Sequence, residues 1–206
     1  MLIFDGNTSG DRLVLACNGY LGHLEPRIAG LIMPINNFMI ATEPLDEATA
    51  DAIDPQRLAI QDSRFVIDYW RLSADRRLLF GGGENYRSGF PPDIASLVRR
   101  RMLGIYPALA DRRIDHAWGG TLAITLGRLP AFGRLAPEIL YALGYSGHGV
   151  PTATLAGKLL AGAITAEAAG FDAFAKIPQR RFPGGTLLRY PGRVLGLLSD
   201  ALRDRL

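Results

Sequence analysis

The sequence predicts a mixed α/β (α+β) fold, and three observations lead to that prediction. An apolar run of strand length, Ile139–Leu143, is followed by six residues that hold three glycines, and a helical pattern then opens at Pro151. Apolar residues recur on one face of that helix at Leu155, Leu159, Leu160, Ala163 and Ile164. Earlier in the chain, short runs of β-branched and aromatic residues separated by polar turns predict an antiparallel sheet.

The N-terminal part of the chain predicts a strand that ends in small residues. Residues 1–11 carry turn signals that indicate a hairpin. Residues 12–17 are almost continuously apolar, which is typical of a strand covered on both faces. The run ends at Asn18 and Gly19, and open α/β sheets bind nucleotides at such carboxyl ends. Cys17 has no basic neighbour in the sequence, so we interpret it as a small core residue.

An antiparallel sheet with one packed face and one open face is expected to follow. Its strands are predicted at residues 31–35, 38–42, 65–71 and 77–80. Residues 44–55 are expected to form a short helix or a loop at the edge of the sheet. Asp93 is the predicted N-cap of a covering helix that ends at Gly104. A further strand is predicted at residues 115–125, where Gly119 and Gly120 indicate a bulge or a close approach.

The last third of the chain is expected to end in irregular structure and a short helix. Residues 130–137 are predicted to be a loop that leads into the strand, glycine turn and helix described first. After Gly170, prolines and glycines predict an extended wrap. A basic-flanked amphipathic helix is expected from about Arg193. Docking on the domain is its favoured role, and binding to a membrane surface is the alternative.

Composition and charge exclude several classes of function. The formal net charge is +3, and the basic residues are almost all arginines dispersed among acids, so we expect no nucleic-acid footprint. A single cysteine rules out an internal disulfide and is compatible with the cytoplasm. No apolar run approaches the roughly 18 residues of a membrane span. We therefore expect a soluble cytoplasmic protein, and we assign no metal site.

The glycine turn after residue 143 is a candidate ligand site. Glycines at a strand-to-helix junction let the backbone approach a ligand, and the free N–H groups at the helix start favour an anion or an electron-rich ring edge. An ordinary strand-to-helix connection explains the same pattern. Spacing alone leaves both interpretations open.

Seven short motifs in order resemble a known family over essentially the whole chain. They are Asn18-Gly19-Tyr20-Leu21, Ile40-Ala41-Thr42-Glu43-Pro44-Leu45, Asp62-Ser63-Arg64-Phe65, Arg77-Leu78-Leu79-Phe80-Gly81-Gly82, Trp118-Gly119-Gly120-Thr121, Gly144-Tyr145-Ser146-Gly147-His148-Gly149-Val150 and Phe182-Pro183-Gly184-Gly185. Together they resemble the C-terminal half of the FAD-dependent D-amino-acid-oxidase-type oxidoreductases, closest to the γ-glutamylputrescine oxidoreductase branch.

The resemblance implies a division into domains. Residues 1–30 would be the last strands of a Rossmann-type FAD-binding domain, and residues 31–117 an antiparallel-sheet substrate domain with a covering helix. Residues 118–206 would return to the FAD-binding domain and end in the wrap and terminal helix.

The resemblance also implies FAD as cofactor and an amine or amino acid as substrate. The protein would oxidise a C–N bond, with release of an imine or aldehyde, ammonia and peroxide. The implied cofactor-binding residues are Ala16, Asn18, Gly19, Gly144, Tyr145, Ser146, Gly147, His148, Gly149 and Val150. Backbone N–H groups from Ser146 to Val150 would face the flavin N1 and C2 carbonyl. His148 would orient neighbouring groups, or it is a histidine satisfied by backbone.

Five residues are implied to bind the substrate, and no catalytic side chain is assigned. Tyr69, Phe80 and Trp118 would line the substrate pocket, with an aromatic core role as the alternative for each. Arg64 and Arg71 are candidates for a substrate carboxylate, with a solvated surface role as the alternative.

The sequence also departs from the family pattern. It lacks the G-x-G-x-x-G turn that holds the FAD pyrophosphate, since the Gly81-Gly82-Gly83 run has another spacing. Pro151 stands where sarcosine-oxidase-like relatives carry a lysine that binds a substrate carboxylate, which points away from small α-amino acids. Gly127 stands where many relatives have Asp or Asn.

These departures leave three functional hypotheses. The first is an FAD-dependent amine oxidoreductase that needs an N-terminal FAD-binding half. The second is a truncated, inactive fragment or a subunit that pairs with a complementary chain. The third is a soluble binding module without redox function, which explains none of the ordered motifs.

Overall fold

A computed structural model of the protein describes residues 10–64, 66–85 and 89–186. In chain order the strands are β1 (Leu13–Leu15), β2 (Met33–Thr42), β3 (Ile60–Gln61), β4 (Tyr69–Leu72), β5 (Leu78–Asn85), β6 (Ile114–Ile124), β7 (Ala131–Ala136) and β8 (Ile139–Leu143). The α-helices are α1 (Pro26–Ala29), α2 (Glu47–Ile53), α3 (Ile94–Ile105), α4 (Gly149–Ile164) and α5 (Ala169–Ala175). Short 3-10 turns lie at Asn18–Tyr20 and Pro107–Leu109. The mixed α+β fold with an antiparallel sheet, predicted from the sequence, is confirmed.

The described residues divide into two compact units. The first contains residues 10–33 and 122–186, and the second contains residues 34–121. The hairpin predicted within residues 1–11 falls almost wholly outside the described residues, and so does the helix predicted from Arg193.

The first unit is built on a three-stranded sheet in the order β1-β8-β7. Strand β1 runs parallel to β8 with Leu15 opposite Tyr141, and β7 runs antiparallel to β8. Helices α4 and α5 cover one face, where the core consists of Phe132, Leu140, Ala142, Ala156, Leu160 and Phe171. A second apolar cluster contains Leu15, Leu21, Ile28, Ala29, Leu31, Ile32, Ala123, Ala131 and Leu143.

Two sequence predictions for this unit are wrong. Residues 130–137 are not a loop, because Ala131–Ala136 forms a strand that pairs with β8 and buries Phe132. Pro130 and Pro137 flank this strand, and the residues between them are extended because they pair with β8. The extended wrap expected after Gly170 is wrong for its first residues, because α5 spans Ala169–Ala175 and buries Phe171. Within the described residues, the edge strand β1 leaves Leu13 51% exposed.

The second unit is built on a five-stranded sheet in the order β3-β4-β5-β2-β6. Helix α3 packs on β5 and begins where the Asp93 side chain accepts the N–H of Ser96 at 2.9 Å, as the N-cap prediction requires. The helix runs on through Gly104 to Ile105, so Gly104 does not end it. The core of this unit consists of Phe38, Ile40, Leu45, Ala50, Trp70, Leu72, Leu78, Phe80, Val98, Met102 and Leu109.

The strands of this sheet also differ from their predicted bounds. Residues 31–42 give one strand, β2, where the sequence predicts two. Strand β4 begins only at Tyr69, and β5 continues through the three glycines to Asn85. The glycines fit in β5 because side chains pack directly against their backbone: a Cβ atom on Gly81 would lie 2.2 Å from Tyr69, and one on Gly82 would lie 2.1 Å from Asp68.

Candidate functional site

The carboxyl ends of β1 and β8 lie side by side in the first unit. Because the two strands are parallel and Leu15 is opposite Tyr141, the residues that follow each strand meet at one edge of the sheet. The Asn18 Oδ1 atom accepts the backbone N–H of Gly144 at 3.0 Å. The structure thus joins two segments that are 126 residues apart and that the sequence assigns to one cofactor site.

The backbone of this junction has a positive φ at four positions, one of which is Gly147 with φ +94°. Gly144 has φ +78°, and a Cβ atom there would lie 2.4 Å from the Thr125 methyl carbon, so only glycine fits. Asn18 and Ser146 lie in the left-handed region with φ values of 46° and 51°. Such conformations persist where surrounding contacts hold them, and they cluster at functional sites.

Ser146 holds the turn together from inside. Its N–H donates to the Ala123 carbonyl at 3.0 Å, and its hydroxyl donates to the Gly144 carbonyl at 3.2 Å. The same hydroxyl oxygen accepts the Thr125 N–H at 3.2 Å. The expectation that the Ser146 N–H faces a cofactor is therefore wrong, because this donor is already bonded within the protein. Sequence reasoning missed Thr125, whose contacts depend on the pairing of distant segments.

Three backbone N–H groups at the start of α4 are open. His148 donates its N–H to the Tyr145 carbonyl at 2.9 Å. The N–H groups of Gly147, Gly149 and Val150 have no acceptor among the described residues, and no side chain caps the helix. Val150 is 87% exposed. A helix start with unpaired donors is a site for negative charge.

Among the described residues, little lies beside the backbone at Gly147 and Gly149. A Cβ atom on Gly147 would meet no atom within 4 Å, and one on Gly149 would meet only Tyr145, at 4.0 Å. This open backbone fits the flavin that the sequence resemblance implies. Ala16 is exposed next to β1, Gly19 is buried, and the exposed His148 makes no side-chain hydrogen bond with the described residues.

Two of the five predicted substrate residues have other partners in the second unit. Phe80 is fully buried and stacks on Trp70 with ring centroids 5.6 Å apart, so it is a core residue. Arg64 pairs with the buried carboxylate of Asp68 at 3.2 Å and also lies 3.5 Å from Asp62. The alternatives of a core role for Phe80 and a surface role for Arg64 therefore fit better.

The other three predicted substrate residues remain accessible. Arg71 is exposed and forms no ion pair with the described residues. Tyr69 is half-buried on the sheet. Trp118 is 41% exposed and lines a cleft of about 650 Å³.

An ion-pair cluster forms one wall of that cleft. The Asp115 carboxylate accepts hydrogen bonds from Arg113 at 2.7 Å and from Arg77 at 2.6 Å. Together these bonds lower the pKa of Asp115 to about 2, and the bond from Arg113 has the larger effect. Asp115 is therefore a carboxylate throughout the neutral range, and its charge is matched by its neighbours.

Comparison with known protein families identifies the chain. The family model described as FAD dependent oxidoreductase (DAO) matches residues 4–163. The chain belongs to this family. The family and its cofactor, FAD, agree with the resemblance seen in the sequence motifs.

Curated relatives and solved structures are similar along most of the chain. It is 42% identical over 202 residues to gamma-glutamylputrescine oxidoreductase of Escherichia coli K12 and 44% identical over 200 residues to the probable oxidoreductase OrdL of Rhizobium meliloti. These matches cover 98% and 97% of this chain but 47% and 46% of the relatives, so the chain spans about half of their length.

Solved structures show the same fold at low sequence identity. Iminodiacetate oxidase from Chelativorans sp. BNC1 matches with a TM-score of 0.64 at 21% identity, covering 79% of this chain and 45% of that chain. Glycine oxidase from Geobacillus kaustophilus matches with a TM-score of 0.63 at 17% identity, covering 84% of this chain and 46% of that chain. Among the described residues, no helix has the length and apolar character needed to cross a membrane. A cytoplasmic location stays a prediction.

Proposed function

We propose that this chain forms part of the flavin site and part of the substrate site of an FAD-dependent oxidoreductase that oxidises the C–N bond of an amine. The proposed substrate is of the γ-glutamylputrescine type. The amine is oxidised to an imine, water hydrolyses the imine to an aldehyde and ammonia, and oxygen takes up the two electrons and two protons to give peroxide. Family membership and the 42% identical E. coli relative support the proposal. The observation that carries it for these residues is the set of open N–H groups at the start of α4, beside the Asn18–Gly144 contact.

FAD, when bound, would supply the hydride acceptor for oxidation at the carbon next to the amine nitrogen. The N–H groups of Gly147, Gly149 and Val150 hold the ring edge on which negative charge collects during reduction. A helix start stabilises such a charge by roughly 0.3–2 kcal/mol. Asn18 contributes by fixing the turn, because its side chain is already bonded to Gly144.

The rest of the flavin site is proposed to come from residues outside these 206. The family's pyrophosphate-binding glycine motif does not occur in this sequence. Parallel sheets are generally covered, yet the edge strand β1 exposes Leu13 and Val14 within the described part of the chain. We propose that the N-terminal half of the relatives' length, in this polypeptide or a complementary one, supplies the missing part. The alternative is a catalytically inactive chain or a subunit that pairs with another chain.

Reconstitution tests the proposal. The purified chain is mixed with FAD, alone and together with a polypeptide that corresponds to the N-terminal half of the related oxidoreductases. Flavin absorbance in the protein fraction after gel filtration reports binding, and bleaching of that absorbance by γ-glutamylputrescine without oxygen reports substrate oxidation. The proposal predicts both signals for the mixture. Stable flavin binding without bleaching by any amine would favour the inactive alternative.

A pair of variants connects the signal to α4. Val150→Pro removes one of the open N–H groups at a first-turn position where proline is tolerated, whereas Val150→Ala keeps it. Val150 is almost fully exposed, so neither change disturbs the core. Weaker FAD binding by the proline variant alone is the expected result. Equal binding by both variants would remove the helix start from the proposed site.

A further inference from the structure

A cavity in the second unit lies beside the turn that joins β4 to β5. Its volume is about 360 Å³, which is within the range of pockets that hold small molecules. Three arginines line it, together with one carboxylate and the first residues of the turn. These lining residues are Arg57, Arg71, Arg76, Glu47, Ser73 and Ala74. The lining therefore carries more positive than negative charge.

Two of the three arginine side chains are held in place. Arg57 donates to Asp51 at 2.7 Å and to Glu47 at 3.0 Å. Arg76 donates from Nε to the Leu45 carbonyl at 3.0 Å, and its Nη1 atom lies 3.5 Å from Glu47. The Arg57 Nε and Arg76 Nη2 atoms have no acceptor among the described residues. Both guanidinium groups are thus positioned before a ligand arrives, which lowers the entropy that binding would cost.

The backbone of the same two arginines is in a conformation that arginine rarely adopts. Arg57 has φ 57° and Arg76 has φ 61°, in the left-handed region that favours glycine and asparagine. The Arg57 N–H donates to the Asp54 carbonyl at 3.3 Å, and the Arg76 N–H donates to the Ser73 carbonyl at 3.0 Å. Residues held in this region by surrounding contacts cluster at ligand sites.

Arg71 and Ala74 supply donors that the described part of the chain does not use. The Arg71 side chain is exposed, and no described residue accepts a hydrogen bond from its guanidinium group or pairs with its charge. The N–H of Ala74 likewise has no acceptor there, whereas those of Ser73 and Arg76 are bonded within the turn. A guanidinium fork and an amide beside two fixed arginines suit the oxygen atoms of an anion.

We propose that this cavity binds a small molecule through an oxyanion group, which is a phosphate or a carboxylate. Arg71 contacts the oxyanion through its paired N–H groups, and the Ala74 amide donates a further hydrogen bond. Arg57 and Arg76 add donors from fixed positions, and the carboxylates bonded to them offset their charges. These carboxylates also interrupt the basic surface, so a small anion fits better than a nucleic acid. The site needs neither flavin nor amine and goes beyond the proposed function.

Titration of the full chain with anions at constant ionic strength tests this site. Inorganic phosphate and succinate are the probes, and sodium chloride replaces them in the reference samples. The chain is labelled with ¹⁵N at alanine, and the Ala74 amide signal, assigned with Ala74→Gly, reports binding. We predict a saturable shift of this signal with at least one probe and none with chloride. A shift with phosphate alone assigns the site to phosphate compounds, and a shift with succinate alone assigns it to carboxylates.

A matched pair of variants connects the shift to Arg71. Arg71→Gln removes the charge that no described residue balances, and it should weaken binding of the probe about tenfold. Arg100→Gln removes an exposed charge from α3, outside the cavity lining, and should leave the affinity unchanged. Equal weakening by both variants, or unchanged affinity in Arg71→Gln, would overturn the site.

The unmodified chain alone can also refute the proposal. No shift of the Ala74 signal with either probe, a shift that does not saturate, or an equal shift with chloride would each overturn the oxyanion site. None of these measurements involves FAD or an amine. Their failure therefore leaves the proposed function standing, and a failed reconstitution with FAD leaves the oxyanion site standing.

Discussion

Replacing Asn18 by alanine is expected to lower the free energy of unfolding by roughly 2–4 kcal/mol. The Asn18 side chain accepts the N–H of Gly144, which is buried. Without that acceptor the amide is left unsatisfied, at a cost of about 1–3 kcal/mol. Asn18 also has φ 46°, a left-handed conformation that costs alanine about 1–2 kcal/mol and asparagine less.

Two companion variants separate these contributions. Asn18→Gly removes the acceptor, but glycine adopts the left-handed conformation without strain. The free energy of unfolding should therefore fall by only about 1–3 kcal/mol. Asn18→Asp keeps an acceptor oxygen and should stay within about 1 kcal/mol of the unmodified chain. Urea unfolding of the purified chain, followed by circular dichroism, measures all three. A loss below about 0.5 kcal/mol for Asn18→Ala, with an unchanged m-value, would refute the claim that this bond joins the two strand ends.

Three further changes test other parts of the structure. Asp68→Asn removes the negative charge that pairs with Arg101, and the Asp68 side chain is only 1% exposed. Urea unfolding should therefore show that the free energy of unfolding falls by roughly 2–4 kcal/mol. A change smaller than about 0.5 kcal/mol would contradict the buried ion pair. Gly144→Ala should lower the melting temperature, and adding Thr125→Ser, which removes the clashing methyl but keeps the hydroxyl, should restore part of it; no restoration would contradict the contact. Asp115→Asn should melt below the unmodified chain at neutral pH. The pKa of Asp115 is lower in the folded chain than in the unfolded chain, so its ion pairs stabilise the fold fully above the unfolded pKa of about 3.9. This stabilisation is lost as the pH falls through about 2. A difference in melting temperature between the two proteins that persists in strong acid would refute the role of the Asp115 charge.

The sequence predicts the strand–turn–helix unit well because its signals are local. The apolar run at β8, the glycines after it and the periodic apolar face of α4 each depend on neighbouring residues. The N-cap of α3 at Asp93 is predicted for the same reason. The cofactor segments could be placed at strand ends, but their contact through Asn18 and Gly144 depends on the register of β1 with β8. No local pattern encodes that register.

Predictions fail where tertiary pairing overrides local composition. Strand β7 lies between two prolines that indicate a loop, and its pairing with β8 is what makes it a strand. The strand predicted at residues 77–80 stops before the glycines, yet β5 continues through them because their bare backbone accommodates the side chains of Tyr69 and Asp68.

The amide resonances at the start of α4 test the central claim most directly. The chain is labelled with ¹⁵N at glycine and valine, and its spectra are compared before and after FAD is added in the presence of the complementary N-terminal polypeptide. We predict that the signals of Gly147, Gly149 and Val150 shift with flavin occupancy and shift again when the flavin is reduced. If the flavin site is fully occupied and these three signals do not move when the flavin is reduced, the account is contradicted.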